Sequence, residues 1–274
     1  MRSETLFRRL VARVAAMPGV VAVGKTGGPG LPGAEGGDVD VFVFCGTVPS
    51  AAMRAGAMEG LPISGLRVAE CPGKHWGVCD FLELGGTDVC LMYFAVADMD
   101  AEINSVLSGE RAEREDNGFY PTGRCASFLA MHAFMDDAGY IAGMRERLAG
   151  YPEPLRKSLV SHHMEALEDT EDLERAAMRK DALFYHFALD LSLDHFLQAM
   201  FALNRAWFPS RKRTLAHISG FALRPVHCGE RLERVVALGA RGETIPESLS
   251  EYSALCQDLA DLCRRELGEG TPAE

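Results

Sequence analysis

The stretch Gly36-Gly37-Asp38-Val39-Asp40-Val41-Phe42-Val43-Phe44 decides how this chain is organised. Its two glycines are a turn signal, and the β-branched and aromatic run after them predicts a buried strand. Because side chains alternate along a strand, Asp38 and Asp40 fall on one face, about 6 to 7 Å apart. Carboxylates at that spacing suit a hard cation such as Mg²⁺, which keeps coordination positions for substrate phosphates. The alternative is an acidic pair that only caps the strand at a turn.

The composition predicts a two-domain protein with a substantial core. The chain has 274 residues, of which 47% are hydrophobic, and a net charge of −11. This acidic balance argues against a broad nucleic-acid-binding surface, so nucleic acid is not an expected partner. The eight cysteines form no C-x-x-C pair and predict free thiols in a reducing cytoplasm. No signal-peptide pattern and no apolar run of about 18 residues is present, so no membrane association is expected.

The first half of the chain alternates helix and strand signals. Apolar residues at helical spacing predict a helix over residues 4–17, and a valine-rich run predicts a strand over 20–23. Residues 24–33 are rich in glycine and proline and are predicted to be a loop. The other predictions are a strand at 39–44, a helix at 50–60, a hairpin of strands at 76–84 and 89–94 around Gly85-Gly86, and a helix at 98–107.

From about residue 119, helical periodicity replaces the strand signals. Helices are predicted at residues 126–138, 141–149, 155–167, 172–207, 214–221, 230–240 and 246–267. We therefore predict an α/β domain over residues 1–118 and an all-helical domain over 119–274. Residues 268–274 are expected to form a disordered tail.

Residues 19–26 match the G-x-x-x-x-G-K-[ST] pattern of a phosphate loop, but their context argues against that interpretation. A phosphate loop leads directly into a helix, whereas here valines fill most of the variable positions and Gly-Gly-Pro-Gly follows the match. The valines predict a strand instead. The glycines that follow are candidates for holding a phosphate through their backbone N–H groups.

Two further groups of residues are considered as possible metal ligands. Asp88 opens an apolar run, as Asp38 does, and would share a strand face with Cys90. The histidines lack companion ligands at zinc-like spacing, so we predict that they are core or surface residues rather than metal ligands. These histidines are His162, His163, His186 and His195.

Together the motifs resemble the nucleotidyltransferase superfamily. Its pattern is a glycine-rich segment after a first strand, then Asp-x-Asp at the next strand, then a carboxylate on a later strand; here these are residues 24–28, Asp38-Val39-Asp40 and Asp88. The helical half, with Asn204-Arg205-Ala206-Trp207-Phe208-Pro209-Ser210-Arg211-Lys212, is similar to a signature of the DUF4037 group. The plan also resembles the aminoglycoside nucleotidyltransferases. The resemblance implies an α+β fold, in which an N-terminal mixed sheet with flanking helices precedes an all-helical C-terminal domain.

The resemblance also implies a reaction. Mg²⁺ held by Asp38, Asp40 and Asp88 would promote transfer of a nucleoside monophosphate from an NTP, taken to be ATP, to a hydroxyl of a small acceptor bound between the two domains. The same three aspartates would be the catalytic residues. The implied nucleotide-binding residues are Gly24, Lys25, Thr26, Gly27, Gly28 and Lys212. An alternative for Lys212 is that its basic cluster caps the C-terminus of a long helix.

Two departures from the superfamily pattern keep other functions open. Gly24-Lys25-Thr26 stands where members usually carry Gly-Ser, and Cys90 falls where the third carboxylate commonly lies. A thiol is a poor ligand for Mg²⁺. A catalytically impaired module that binds or senses NTPs is therefore one alternative. Modification of a protein or a tRNA end is another, which the acidic charge disfavours for tRNA.

Overall fold

The computed structural model describes residues 3–28, 31, 37–112, 114–115 and 118–268. The predictions for residues 29–30, 32–36 and 269–274 lie outside this range. The strands are β1 Val20–Thr26, β2 Val39–Cys45, β3 Ser64–Arg67, β4 Val78–Leu84, β5 Thr87–Ala95 and β6 Met131–Met135. The helices are α1 Ser3–Ala15, α2 Ala51–Met58, α3 Val96–Leu107, α4 Thr122–Ala130, α5 Tyr140–Ala149, α6 Glu153–Ala166, α7 Glu171–Arg179, α8 Ala182–Leu203, α9 Thr214–Ser219, α10 Cys228–Gly239 and α11 Ile245–Leu267.

The fold is α+β, as predicted, with a six-stranded mixed sheet in the first half and helices in the second. The chain divides into two compact units. The first contains Met1–Val106 and Arg114–Gly150, and the second contains Leu107–Glu113 and Tyr151–Glu274. Among the described residues, none of the helices combines the length and the hydrophobicity that a membrane span needs.

The sheet of the first unit has the order β3-β4-β5-β2-β1-β6. Strands β2 and β5 are parallel, whereas all other neighbouring pairs are antiparallel. Alternate residues of β2, such as Val41, are buried in one core with Phe7 and Leu10 of α1. On the opposite face, the ring of Phe44 lies 5.1 Å from that of Phe128 in α4. Because of this alternation, Asp40 lies on the α4 face of the sheet.

Strand β1 continues through Thr26, so residues 24–26 are strand rather than the predicted loop. Gly24 pairs with Phe42 of β2 on one side and with Ala133 of β6 on the other. A Cβ atom built on Gly24 would lie 2.5 Å from the sulfur of Met131. The glycine therefore serves close packing inside the sheet, and it does not mark a flexible turn.

Strand β6 replaces part of the helix predicted over residues 126–138, which was wrong beyond Ala130. Helix α4 ends there, and Met131–Met135 pairs with the outer edge of β1. An edge strand exposes unpaired backbone groups, so pairing with β1 outweighs the helical propensity of these residues. Because β6 completes the sheet, residues 119–150 group with the first unit, whereas the predicted boundary after residue 118 places them with the helical domain.

The second unit contains α6 to α11. The helix predicted over residues 172–207 is divided into α7 and α8. Lys180 adopts a left-handed conformation with φ of 54° and ends α7. Asp181 then caps α8 because its side chain accepts a hydrogen bond from the backbone N–H of Phe184. The predicted helices near 155–167, 214–221, 230–240 and 246–267 are confirmed within a few residues at their ends.

Candidate functional site

The three predicted carboxylates lie at the same end of two neighbouring parallel strands. Asp40 is in β2, Asp38 directly precedes β2, and Asp88 is the second residue of β5. The register pairs Val39 with Val89 and Asp40 with Cys90. Asp38 and Asp88 therefore lie beside each other across the two strands, on the same face as Asp40. We call Asp38, Asp40 and Asp88 the acidic edge.

The acidic edge opens into a pocket of about 550 Å³. Asp38 and Asp88 are exposed and line it, whereas Asp40 is half-buried. Arg67 also lines the pocket and adds a positive charge to its wall. Its guanidinium lies over the ring of Phe81, 5.2 Å from the ring centre. The other lining residues are Gly65, Leu66, Leu82, Glu83, Val89 and Cys90.

Cys90 is buried beside these acids and keeps its proton. A hydrogen bond between Cys79 and Cys90 lowers the pKa of Cys79. The same hydrogen bond raises the pKa of the Cys90 thiol, and burial and the nearby charges of Asp40 and Asp38 raise it further. A protonated thiol is neither a strong ligand nor a nucleophile. Cys90 therefore does not supply the negative charge that a carboxylate would supply in its place.

The donor set of the acidic edge fits Mg²⁺ through two carboxylates rather than three. Among the residues that the structure describes, the acidic edge does not form a group of three ligand atoms within 4.8 Å of one another. Asp38 and Asp40 nevertheless share one strand face, and Mg²⁺ is commonly held by one or two protein carboxylates, with waters and phosphate oxygens completing its shell. Asp88 stands next to Asp38 as a further carboxylate.

The glycine-rich segment divides between the two faces of the sheet. Lys25 pairs with Val41 and so shares the α1 face, opposite to that of Asp40. Its amine donates a hydrogen bond to the Thr26 carbonyl at 3.1 Å. Burial lowers the pKa of Lys25, and the charge of Glu4 in α1 partly offsets this. The Lys25 amine is therefore directed away from the acidic edge.

The residues around Lys25 have different surroundings. Gly24 is buried and Thr26 is half-buried in β1, whereas Gly27 and Gly28 follow the strand and are exposed. Gly27 has a φ of +81°, a conformation that favours glycine. A Cβ atom on Gly28 would meet nothing within 4 Å. The two exposed glycines are thus the part of this segment that a ligand can approach.

In the second unit, the predicted signature residues have mainly structural contacts. The side-chain amide of Asn204 donates hydrogen bonds to the carbonyls of Met200 at 2.8 Å and Leu223 at 2.7 Å. Its oxygen accepts one from the backbone N–H of Leu223 at 3.0 Å. Asn204 thus caps α8 and fastens a distant loop to it.

The basic cluster that follows is partly neutralised. Arg211 forms ion pairs with Asp190 at 3.0 Å and Asp194 at 3.4 Å. Arg205 pairs with Glu153 at 3.0 Å. Lys212 is exposed between α8 and α9, and its backbone N–H donates to Ser210. Lys212 is thus an exposed cation of this signature, and its nucleotide contact stays a prediction.

Residues 120–213 match the family model described as Domain of unknown function (DUF4037). The match confirms the predicted resemblance for this part of the chain, which runs from α4 through the Asn204 signature to Arg213. The acidic edge lies outside the DUF4037 match.

The comparisons with other proteins are more distant. One solved structure that aligns with this chain is a nucleotidyltransferase-like protein from Exiguobacterium sibiricum. It is 12% identical, with a TM-score of 0.46, and the alignment covers 97% of this chain and 78% of that chain. The search of curated proteins gives no match.

The DUF4037 region contains a histidine cluster that sequence spacing did not indicate. His162 and His163 of α6 lie beside His195 of α8, and one ligand atom from each lies within 4.8 Å of the others. His186, the fourth histidine considered, is not part of the cluster. The only local signal was the His162-His163 pair, because His195 follows 32 residues after His163 and meets it through the packing of α6 against α8.

Proposed function

We propose that the first unit binds an NTP with Mg²⁺ at the acidic edge and transfers a nucleoside monophosphate to a hydroxyl of a small acceptor. The observation that supports this proposal is the parallel pairing of β2 and β5, which brings Asp38, Asp40 and Asp88 to one end and one face of the sheet. Hard oxygen ligands next to an open pocket are what a metal-bound triphosphate requires.

The three aspartates of the acidic edge have different roles in the proposed reaction. Asp38 and Asp40 would hold the ion, which would neutralise the charge of the triphosphate and align the reacting groups. Asp88 is exposed beside Asp38 and acts as the base. It accepts the proton of the acceptor hydroxyl while the hydroxyl oxygen attacks the α-phosphorus of the NTP. The bond between the α-phosphorus and the oxygen that bridges it to the β-phosphate then breaks, and pyrophosphate leaves.

The remaining contacts concern the phosphates. Gly27 and Gly28 are exposed at the end of β1 and offer backbone N–H groups. Arg67 offers a positive charge at the pocket wall. Lys25 is better explained as a structural residue of β1, given its buried position on the α1 face.

A second candidate function is NTP binding without transfer. The specific observation in its favour is Cys90, which lies opposite Asp40 and carries a protonated thiol. With a weaker metal site, the chain would retain the nucleotide but release no pyrophosphate.

The test measures Mg²⁺-dependent NTP binding and pyrophosphate release with a panel of polyhydroxyl acceptors that includes aminoglycosides. The variant is Asp38→Asn/Asp40→Asn, and the control is Asp137→Asn, which changes an exposed carboxylate after β6. For a transferase, we expect pyrophosphate release to fall about 100-fold or more in the double variant only. Binding without release by the wild type favours the second function. Equal behaviour of the wild type and the double variant in both assays contradicts both functions.

A further inference from the structure

Three imidazole rings meet where α6 packs against α8. The ring centres of His162 and His163 lie 5.0 Å apart, those of His163 and His195 lie 5.2 Å apart, and those of His162 and His195 lie 6.2 Å apart. The three rings differ in exposure. His163 is buried, His195 is half-buried, and His162 is exposed.

The contact between His163 and His195 is closer than ring packing requires. Their Nδ1 atoms are 3.0 Å apart. Since two nitrogens at this distance can share only one proton, one Nδ1 atom presents a lone pair to the other. The Nε2 atom of His163 is also buried, and it has no hydrogen-bond partner.

We propose that His162, His163 and His195 form a binding site for a divalent transition metal ion, with Zn²⁺ as the expected occupant. Imidazole nitrogens are suitable ligands for Zn²⁺, Cu²⁺ and Ni²⁺, and they are poor ligands for Mg²⁺. Three histidines with an open fourth position form a recognised zinc arrangement.

The distances fit this ion with small movements. Tetrahedral nitrogen ligands about 2.0 to 2.1 Å from Zn²⁺ lie roughly 3.3 Å from one another. The 3.0 Å separation of the two Nδ1 atoms is close to that value. The third ligand belongs to His162, whose exposed ring has room to change rotamer. An ion between the rings would take both Nδ1 lone pairs and remove the need for a shared proton.

The cluster joins two helices of the second unit, since His162 and His163 belong to α6 and His195 belongs to α8. An ion at this site would link α6 to α8, and the exposed His162 marks its path from solvent.

The test is zinc titration of tag-free protein that has first been dialysed against EDTA. Isothermal titration calorimetry of the wild type is expected to give one Zn²⁺ per chain. His162→Ala removes an exposed ligand with little risk to folding. It is expected to weaken Zn²⁺ binding by about 100-fold or more, since loss of an outer-shell partner alone costs about 10-fold to 100-fold. His186→Ala is the matched control, because it removes a half-buried histidine of α8 outside the cluster and should leave the affinity unchanged.

Cobalt substitution separates this site from the eight free cysteines. Co²⁺ bound by histidines should give visible bands of a four-coordinate or five-coordinate ion without the near-ultraviolet band of a cobalt–thiolate bond. The proposal is overturned if the wild type binds no stoichiometric Zn²⁺, if His162→Ala binds as tightly as His186→Ala, or if the thiolate band dominates. None of these outcomes bears on the acidic edge, so the two proposals succeed or fail separately.

Discussion

Asp40 of β2 lies directly opposite Cys90 of β5 in the parallel ladder at the centre of the sheet. Asp88, the nearest carboxylate of β5, lies two residues earlier and stands beside Asp38 instead. The carboxylate of β5 therefore lies nearer the N-terminal end of the strand than Cys90, the residue opposite Asp40. This displacement makes Cys90 the position at which the two candidate functions can be separated.

Replacing Cys90 with aspartate should create a carboxylate opposite Asp40. Without Mg²⁺, we expect Cys90→Asp to lower the free energy of unfolding by about 1 to 3 kcal/mol, because a buried charge joins two like charges. Mg²⁺ should raise the melting temperature of this variant more than that of the wild type. The control is Cys90→Ser, which removes the sulfur without adding charge. Equal Mg²⁺-dependent shifts for the two variants would show that position 90 does not face the ion.

Gly24 should tolerate no larger side chain without loss of stability. In Gly24→Ala, the new Cβ atom would lie 2.5 Å from the Met131 sulfur and 3.1 Å from Ile141. We expect a loss of about 1 to 3 kcal/mol in the free energy of unfolding, measured by urea denaturation. Gly143→Ala is the control, since it lies inside α5 with nothing within 4 Å, and should stabilise the protein by about 0.5 to 1 kcal/mol. An unchanged Gly24→Ala variant would mean that the contact is not tight in solution.

Asn204 should contribute to stability rather than to chemistry. Asn204→Ala removes three hydrogen bonds and leaves the backbone N–H and C=O of Leu223 without this partner. We expect thermal or urea denaturation to report a loss of about 2 to 4 kcal/mol. Asn104→Ala, at an exposed position of α3, should change stability by about 0.5 kcal/mol or less. Similar stabilities for the two variants would contradict the capping role of Asn204.

Cys256 should react slowly with thiol reagents until the pH is high. Burial raises the pKa of Cys256 to about 11, against a smaller opposing effect from Tyr252. Only the thiolate reacts, and at pH 8 roughly one Cys256 side chain in a thousand carries it. Alkylation by iodoacetamide, followed by peptide mass spectrometry, should therefore speed up about tenfold per pH unit from pH 8 to pH 10.

Exposed Cys71 provides the comparison for this experiment and should be modified first at pH 8. Circular dichroism at each pH confirms that the protein is still folded. A Cys256 rate that levels off below about pH 9.5 would contradict the raised pKa.

Much of the local structure was predictable because local patterns encode it. The glycines before Asp38 and the β-branched and aromatic run after it predict a buried strand, and the structure has this strand as β2. Gly85 and Gly86 predict the hairpin, and both adopt positive φ. The signature at residues 204–212 also indicated the resemblance to the DUF4037 group from the sequence.

Only the tertiary structure decided which distant segments of the chain lie next to one another. Residues 24–26 look like a loop in sequence, yet they are strand because β2 and β6 pair with both edges of β1. The alignment of Asp40 with Cys90 depends on the register of two parallel strands, which no local period sets. His195 joins His162 and His163 only because α8 packs against α6. Local side-chain patterns determine the elements, whereas backbone pairing and helix packing over long separations determine which side chains meet.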